Sequence, residues 1–313
     1  VTNERIIAGG YHRKFPGLRY SHLGSEPQAM PKVPVTVAIP VRNEERNLPS
    51  CLERLGRFER VVVLDSCSTD RTAEIARGAG AEILEFRWNG QFPKKRNWYL
   101  RNHRVETPWV FFLDADEFVD DRFCDELERT LPSTQHSGFW INYTNWFMGR
   151  ELKHGDANRK LALFRAGSGE YERILEDSWS NLDMEVHEHP VLSGSIGEIG
   201  ARIDHRDYRG LDHWFRKHND YSTWEARRLM ALRSEGLEAH PELTSRQLRK
   251  YRSVGKWWLP LAYFASTYIG RRGFLDGYPG FVYAGCKAAY FWQIGLKGRE
   301  FSDAHSTTGD RSQ

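Results

Sequence analysis

An apolar run, Phe111-Phe112-Leu113, passes directly into the carboxylates of Asp114-Ala115-Asp116-Glu117. Residues two apart on an extended chain project to the same side, so Asp114 and Asp116 could converge on one hard, oxygen-seeking cation. At the C-terminal edge of a strand, where open α/β sheets bind ligands, such a cation could neutralise a diphosphate leaving group. The plainer alternative is a strand followed by a solvated acidic turn. A second carboxylate, Asp65, ends Val61-Val62-Val63-Leu64 and opens Ser66-Cys67-Ser68-Thr69-Asp70. Ionised, it accepts hydrogen bonds and could read the imide N–H of a uracil-type base. Alternatively, Asp65 only shapes the turn while Asp70 caps the next helix.

These carboxylates need a sheet to hold them, and the spacing supplies one. Short β-branched or aromatic runs at Val35–Ile39, Val61–Leu64, Glu82–Phe86 and Trp109–Leu113 alternate with amphipathic stretches, the pattern of a parallel sheet. The intervening helices carry Leu48, Cys51, Leu52 and Leu55 on one stripe, then Ala73, Ile75 and Ala76 after Asp70; a third runs near Lys94 to His103. Beyond Leu113 a helix from about Asp121 to Leu131 stops at Pro132, and extended pieces at Phe139–Trp146 and Leu161–Arg165 make the second half of the core mixed. From Leu211, the spacing of Trp214, Phe215, Tyr221, Trp224 and Leu229 is helical. The expected organisation is an irregular arm over 1–32, an α/β domain over 33–207, a helical segment over 208–300 and a flexible tail over 301–313.

Composition narrows the function. The chain has 313 residues, 40% of them apolar and 28% charged, enough for a folded core, and its net charge is 45 − 42 = +3. So small an excess does not suggest a nucleic-acid binder, whose affinity rests on clustered cations. The four cysteines, Cys51, Cys67, Cys124 and Cys286, form no CxxC pair, so a reducing compartment is expected. No export signal is read at the start, and the longest uncharged apolar run, Trp257 to Gly270, falls short of the roughly 18 to 20 residues that cross a bilayer. The first strand ends in Ile39-Pro40-Val41-Arg42-Asn43-Glu44-Glu45 where a dinucleotide-binding unit would have GxGxxG, and there is no HExxH, so dehydrogenase and zinc peptidase readings are disfavoured.

The segments Ala38–Glu45, Val63–Asp70 and Asp114–Glu117, in that order, resemble family 2 glycosyltransferases over about Val35 to His205. Within the family the text is most similar to bacterial lipopolysaccharide-core glucosyltransferases and exopolysaccharide enzymes. The resemblance implies a GT-A fold, a mixed sheet flanked by helices, with a nucleotide-diphosphate sugar donor, Mg2+ or Mn2+, and inversion at the anomeric carbon. It places Pro40, Asn43 and Asp65 around the nucleoside, with Glu45 in the same donor-binding set. Asp114 falls near the ribose and metal, and Asp116 on the metal bridging the diphosphate. Lys94-Lys95-Arg96-Asn97 corresponds to a helix start beside the donor, where Lys94 and Arg96 could balance the diphosphate; a solvated helical face is the alternative. Inversion also needs a base on the face opposite the leaving group. The resemblance points to Glu188 in Asp183-Met184-Glu185-Val186-His187-Glu188-His189-Pro190, with Glu185 second, although the Glu-Asp base motif of many relatives is absent. His187, His189 or His205 could add a metal ligand, or serve as hydrogen-bonded wall. The acceptor signature of processive synthases, Gln-x-x-Arg-Trp, is not found, so a single addition is expected.

Between Trp257 and Trp292 stand twelve of the 41 aromatic residues, and from Lys256 to Arg299 six Lys or Arg face one acid, Asp276. Amphipathic rings settle at the level of lipid headgroups, and interspersed cations favour an anionic leaflet. Peripheral attachment to the cytoplasmic face of the inner membrane is therefore expected, although Trp257, Phe264 and Phe281 could instead pack on the core. Gly273-Phe274-Leu275-Asp276-Gly277 also resembles a segment of the branch that uses lipid-linked acceptors, which implies a lipid-linked glycan acceptor. Two other classes stay open: a sugar-phosphate nucleotidyltransferase, which normally needs a Gly-rich loop after its first strand, and a non-catalytic scaffold of a polysaccharide assembly complex.

Overall fold

The computed structural model describes residues 32–174, 176, 180, 182–183, 189–207, 209–240 and 243–309, with side chains through 303. The expected arm therefore lies outside the described residues, as do Glu185, His187 and Glu188. The chain runs β1 (Val33–Val41), α1 (Leu48–Leu52), β2 (Phe58–Asp65), α2 (Thr72–Gly78), β3 (Glu82–Glu85), α3 (Lys95–Asn102), β4 (Trp109–Phe112), β5 (Glu117–Phe118) and α4 (Asp121–Thr130). It continues with β6 (Gly138–Phe147), β7 (Arg150–Leu152), β8 (Arg159–Arg165), β9 (Gly169–Tyr171), β10 (Pro190–Leu192) and β11 (Ile196–His205). Four helices close it: α5 (Gly210–Glu235), α6 (Ser245–Ser253), α7 (Leu259–Phe264) and α8 (Gly277–Gly309).

The main sheet has the order β3-β2-β1-β4-β8-β6-β11-β5, with β7 paired to β6. The first four strands are parallel, whereas β8 runs antiparallel to β4 and β6. This is the expected α/β, GT-A class of sheet, followed by the expected helical segment. β1 is buried on both faces: Val35, Val37 and Ile39 join one core cluster and Ala38 the other, which also holds Leu64 and Phe112. Such burial suits a run of β-branched residues in a parallel sheet. The chain leaves β1 for β2 on one side and returns to β4 on the other, so the strand order reverses at β1. A crevice opens at such a switch point.

Pro40 fits this strand for a specific reason. Its parity along β1 matches Ala38, whose carbonyl accepts Leu113 N–H at 3.1 Å, so residue 40 faces the side on which β4 has already ended. No ladder bond is lost by its missing N–H.

Two local expectations are corrected. α2 begins at Thr72, with Asp70 lying before the cap position; Asp70 instead links loops, accepting from Thr72 N–H at 3.0 Å and Glu45 N–H at 3.1 Å. α8 also takes in residues 301–309, which the composition assigned to a tail, because Phe301 packs onto the cluster of α5, α6 and α8 and carries the helix past the last apolar turn.

The C-terminal layer is fastened through the β7–β8 loop. Asp276 accepts from Lys153 N–H at 3.1 Å and His154 N–H at 2.9 Å, and Asp156 pairs with Tyr263 and Arg271. Gly280 permits a close approach there, since a Cβ on it would lie 2.2 Å from the Gly273 carbonyl oxygen. The outer side is apolar and uncovered: Trp257 is 76% exposed, Tyr278 69% and Leu261 66%, with Ile269, Leu275, Phe281 and Trp292 exposed beside them. Packing of Trp257 and Phe281 into the core is therefore not observed; Phe264 is half-buried. No described helix is long and apolar enough to cross a membrane.

Candidate active site

The ends of β1 and β2 are stitched into one surface. Asn43 and Cys67 take left-handed backbone, φ 56° and 53°, which turns both loops sharply at the strand ends. Asn43 N–H donates to Ser68 Oγ at 2.9 Å, and Asn43 Oδ1 accepts Thr69 N–H at 2.8 Å. Asp65, buried at the end of β2, accepts Ser68 N–H at 3.1 Å and the Ser68 hydroxyl. Glu45 pairs with Arg71 on the exposed side of the same loops. Asp65 is level with Val41, and β4 ends level with Ala38. Only β1 stands between them, so Asp65 and Asp114 leave the same sheet edge across two strand spacings, roughly 10 Å.

The acidic segment after β4 is not extended. It is a turn, closed by Glu117 N–H donating to the Asp114 carbonyl at 3.0 Å and tightened by Asp114 N–H donating to Glu117 Oε2 at 2.9 Å. The two aspartates have different protein partners. Asp114 accepts from Arg96 Nη2 at 2.8 Å and from Lys160 Nζ at 2.9 Å, so both of its oxygens are engaged. Burial alone would raise its pKa, but Lys160 and Arg96 hold the carboxyl well below the usual range.

Asp116 is buried, and its Oδ2 has no hydrogen-bond partner. Three basic side chains stand just beyond that oxygen: His205 Nε2 at 3.5 Å, Arg209 Nη2 at 3.7 Å and Lys217 Nζ at 3.8 Å. Burial again works toward the neutral acid and is overcome by His205, Lys217 and Arg209, which keep Asp116 ionised. Burial does prevail at Glu117, pushing its carboxyl up to about 7. Arg209 is itself placed by Asp207, whose carboxylate it meets at 2.8 and 2.9 Å, and by Glu44 at 2.6 Å.

The basic start of α3 is buried, which excludes a solvated face. Lys95 Nζ donates to the Val41 carbonyl at 2.9 Å at the switch point, and burial lowers its pKa. Lys94 pairs with buried Glu176, which also accepts from Trp224 Nε1 of α5. Of Lys94 and Arg96, then, Arg96 meets the acidic turn. The segment carrying Glu185 and Glu188 lies outside the described residues, but its flanks are anchored. The Asp183 carbonyl accepts Lys95 N–H at 3.1 Å, and His189 exchanges hydrogen bonds with Glu172.

Sequence reasoning missed Lys160, Arg209 and Lys217. The one available signal was charge density, since His205-Arg206-Asp207 and Arg209 crowd the entry to α5. Among the described residues no three His, Cys, Asp or Glu side chains gather closely enough to cage a cation. Mg2+ is usually bound otherwise, by one or two carboxylates with phosphate oxygens and water completing the shell. The orphaned Asp116 oxygen, with Asp114 two residues away, fits that mode.

Beside Asp116 opens a cavity of about 370 Å3, shared by the end of β6, the first turns of α5 and the middle of α8. His205 and Lys217 belong both to its wall and to the group around Asp116.

Comparison with known proteins bears on this edge. The Glycosyl transferase family 2 model matches residues 36–185. The lipopolysaccharide core biosynthesis glycosyltransferase LpsC of Rhizobium meliloti is 27% identical over 84% of this chain and 94% of its own. The uncharacterized glycosyltransferase RT0209 of Rickettsia typhi is 22% identical over 79% of this chain and 80% of its own. Among solved structures, glucosyl-3-phosphoglycerate synthase from Mycobacterium tuberculosis, in complex with Mn2+, UDP and glucosyl-3-phosphoglycerate, aligns at 22% identity and a TM-score of 0.29. That alignment covers 36% of this chain and 44% of the other, and so partial an overlap says nothing of ligands here. The matched segment takes in the stitched loops of β1 and β2, the buried start of α3 and the acidic turn after β4, and residues 36–185 are a glycosyltransferase family 2 domain.

Proposed function

We propose that this glycosyltransferase is metal-dependent and inverting, and moves a hexose, glucose from UDP-glucose in the first instance, onto a lipid-linked bacterial glycan such as lipopolysaccharide core or exopolysaccharide. The observation that carries the reading is the buried, ionised and unpartnered Asp116 oxygen ringed by His205, Arg209 and Lys217, at the sheet edge that also bears Asp65. Asp65 and the Asn43 loop would hold the uracil and ribose, with Pro40 and Glu45 at the margin. Mg2+ or Mn2+ on Asp116, with Asp114 beside it, would offset charge gathering on the departing diphosphate.

The chain's own groups do the rest. Arg96 and Lys160 hold Asp114 ionised and in place; Arg209 and Lys217 supply positive charge toward the phosphate oxygens. The acceptor hydroxyl oxygen bonds to the anomeric carbon as the bond from that carbon to the β-phosphate oxygen breaks. The hydroxyl proton passes to a carboxylate, which we assign to Glu188 with Glu185 as second choice, and the nucleoside diphosphate leaves.

Contact with the cytoplasmic face of the inner membrane is supported by the uncovered side of α7 and α8, where Trp257, Leu261 and Tyr278 stand out among Lys256, Arg272 and Arg299. The relative named for lipopolysaccharide core biosynthesis supports a membrane-borne acceptor.

The test is a screen of nucleotide sugars for slow hydrolysis with and without Mn2+, joined to calorimetric titration with UDP. The expected result is metal-dependent turnover of a UDP-hexose. Glu188→Gln should keep UDP affinity within about twofold and lose transfer by about 10²–10⁴-fold, the usual scale of a general base. Full transfer by that variant would remove Glu188 from the role, and the absence of metal-coupled UDP binding would remove the reading itself.

A further inference from the structure

The cavity beside Asp116 has a composition that the donor does not explain. Its wall carries Trp146 from β6, Trp214 from α5, and Tyr283 and Tyr290 from α8, with Lys217 and Lys287 among them. The aromatic groups brace one another: Phe147 meets Trp214 at 6.1 Å and Tyr283 at 5.2 Å between ring centroids, and Trp214 stacks on His218 at 3.6 Å. Two buried polar atoms of the lining residues, Trp146 Nε1 and Tyr290 Oη, have no hydrogen-bond partner among the described residues. Buried donors of this kind are normally satisfied, by protein, water or ligand.

The charge is one-sided. Lys287 sits over the Tyr290 ring at 5.8 Å with no carboxylate partner among the described residues, and Lys217 reaches toward Asp116. The carboxylate on the wall, Asp207, is engaged by Arg209. Flat rings suit the apolar C–H faces of a pyranose, and an amine without a carboxylate partner, as Lys287 is, suits an anion. The volume of about 370 Å3 lies within the range of small-molecule sites.

We propose that this cavity is the acceptor subsite and that it takes an anionic sugar, a carboxylated or phosphorylated ring stacked on the aromatic wall with its charge on Lys287. The assignment rests on the transferase reading, because only there does a second substrate have to reach the carbon bound to a diphosphate beside Asp116. It adds a selectivity that the reading alone does not contain.

The experiment uses the full chain saturated with UDP and Mg2+, titrated with glucuronic acid, glucose 6-phosphate and glucose, with binding followed by saturation-transfer NMR. The expected result is binding of at least one acid tenfold or more tighter than glucose, with that preference reduced to within twofold in Lys287→Met while UDP affinity is unchanged. Preference for the phosphate alone assigns a phosphorylated acceptor, and for the uronate alone a carboxylated one. Trp214→Ala should lose all three sugars; a thermal melt checks that it folds, and Lys287→Met decides the matter if it does not. Equal binding of glucose and the acids, or a preference that survives Lys287→Met, overturns the proposal. Failure of UDP itself to bind would strike the transferase reading instead.

Discussion

Around Asp116 the chain gathers charge that it does not fully pair, and around Trp257 it leaves apolar surface that it does not cover. In the first region nearly every ionised group has an internal partner: Asp114 has Arg96 and Lys160, and Asp207 has Arg209. The remainder is one buried carboxylate oxygen facing three basic side chains just beyond hydrogen-bond reach. In the second region the remainder is a set of large side chains in water. The contrast separates two kinds of ligand. A buried electrostatic remainder suits a cation with phosphate, which can enter a polar crevice, whereas an exposed apolar remainder suits an extended surface such as a bilayer.

The sharpest way to break that contrast is Asp116→Asn. The change removes the negative charge at the centre of His205, Arg209 and Lys217 while keeping the side-chain shape. We expect metal-dependent turnover of the donor to fall by about 10³-fold, as when a preorganised electrostatic group is lost at a reacting centre. His205, Lys217 and Arg209 then lose the carboxylate they share, leaving Arg209 with Asp207 and Glu44, so the variant's melting temperature should also rise with added salt more steeply than the parent's. Activity within tenfold of the parent would mean that the orphaned oxygen is incidental.

A smaller effect is expected from the other region. Trp257→Ser with Leu261→Ser removes two side chains that are 76% and 66% exposed, so folding stability should shift by less than about 0.5 kcal/mol. Affinity for vesicles containing anionic lipid should drop about ten- to a hundredfold, the transfer free energy of one or two partly inserted apolar groups. Unchanged vesicle binding by sedimentation would leave the uncovered face without its assigned partner.

The two regions also differ in how far the sequence exposed them. The strands β1, β2 and β4 were legible because their β-branched or aromatic runs are buried on both faces, and the loops that follow them carry their polar residues in short, local order. The lysines that meet the acidic turn were not legible. Lys160 comes from an antiparallel strand and Lys217 from the second turn of α5, and periodicity carries no information about contacts between distant elements. The same blindness made the start of α3 readable as a solvated face, although Val41, Asp114 and Glu176 bury it. On α5, the spacing of Leu211, Trp214 and Tyr221 marks an apolar stripe correctly, but those residues line the cavity and only the later turns, from Ser222 to Leu232, enter the core. A hydrophobic stripe records that water is excluded from a helix face, without saying whether the excluding partner is protein or ligand.

Asp276 lies where the regions join and gives the finest test. Its segment resembles one associated with lipid-linked acceptors, yet its carboxylate is only 5% exposed and is occupied by the N–H groups of Lys153 and His154 and by the His154 ring, Nδ1 at 2.9 Å. That geometry assigns it to fastening α8 against the β7–β8 loop. An asparagine there has one acceptor oxygen and turns an amide N–H toward a backbone donor, so Asp276→Asn should cost about 1–3 kcal/mol of stability, read as a lower urea midpoint with an unchanged slope. Transfer per folded molecule should change less than about threefold, since no reacting group is touched. The opposite pattern, intact stability with transfer lost, would move Asp276 from the latch into the acceptor site and show that the apolar face and the charged turn are parts of one catalytic surface.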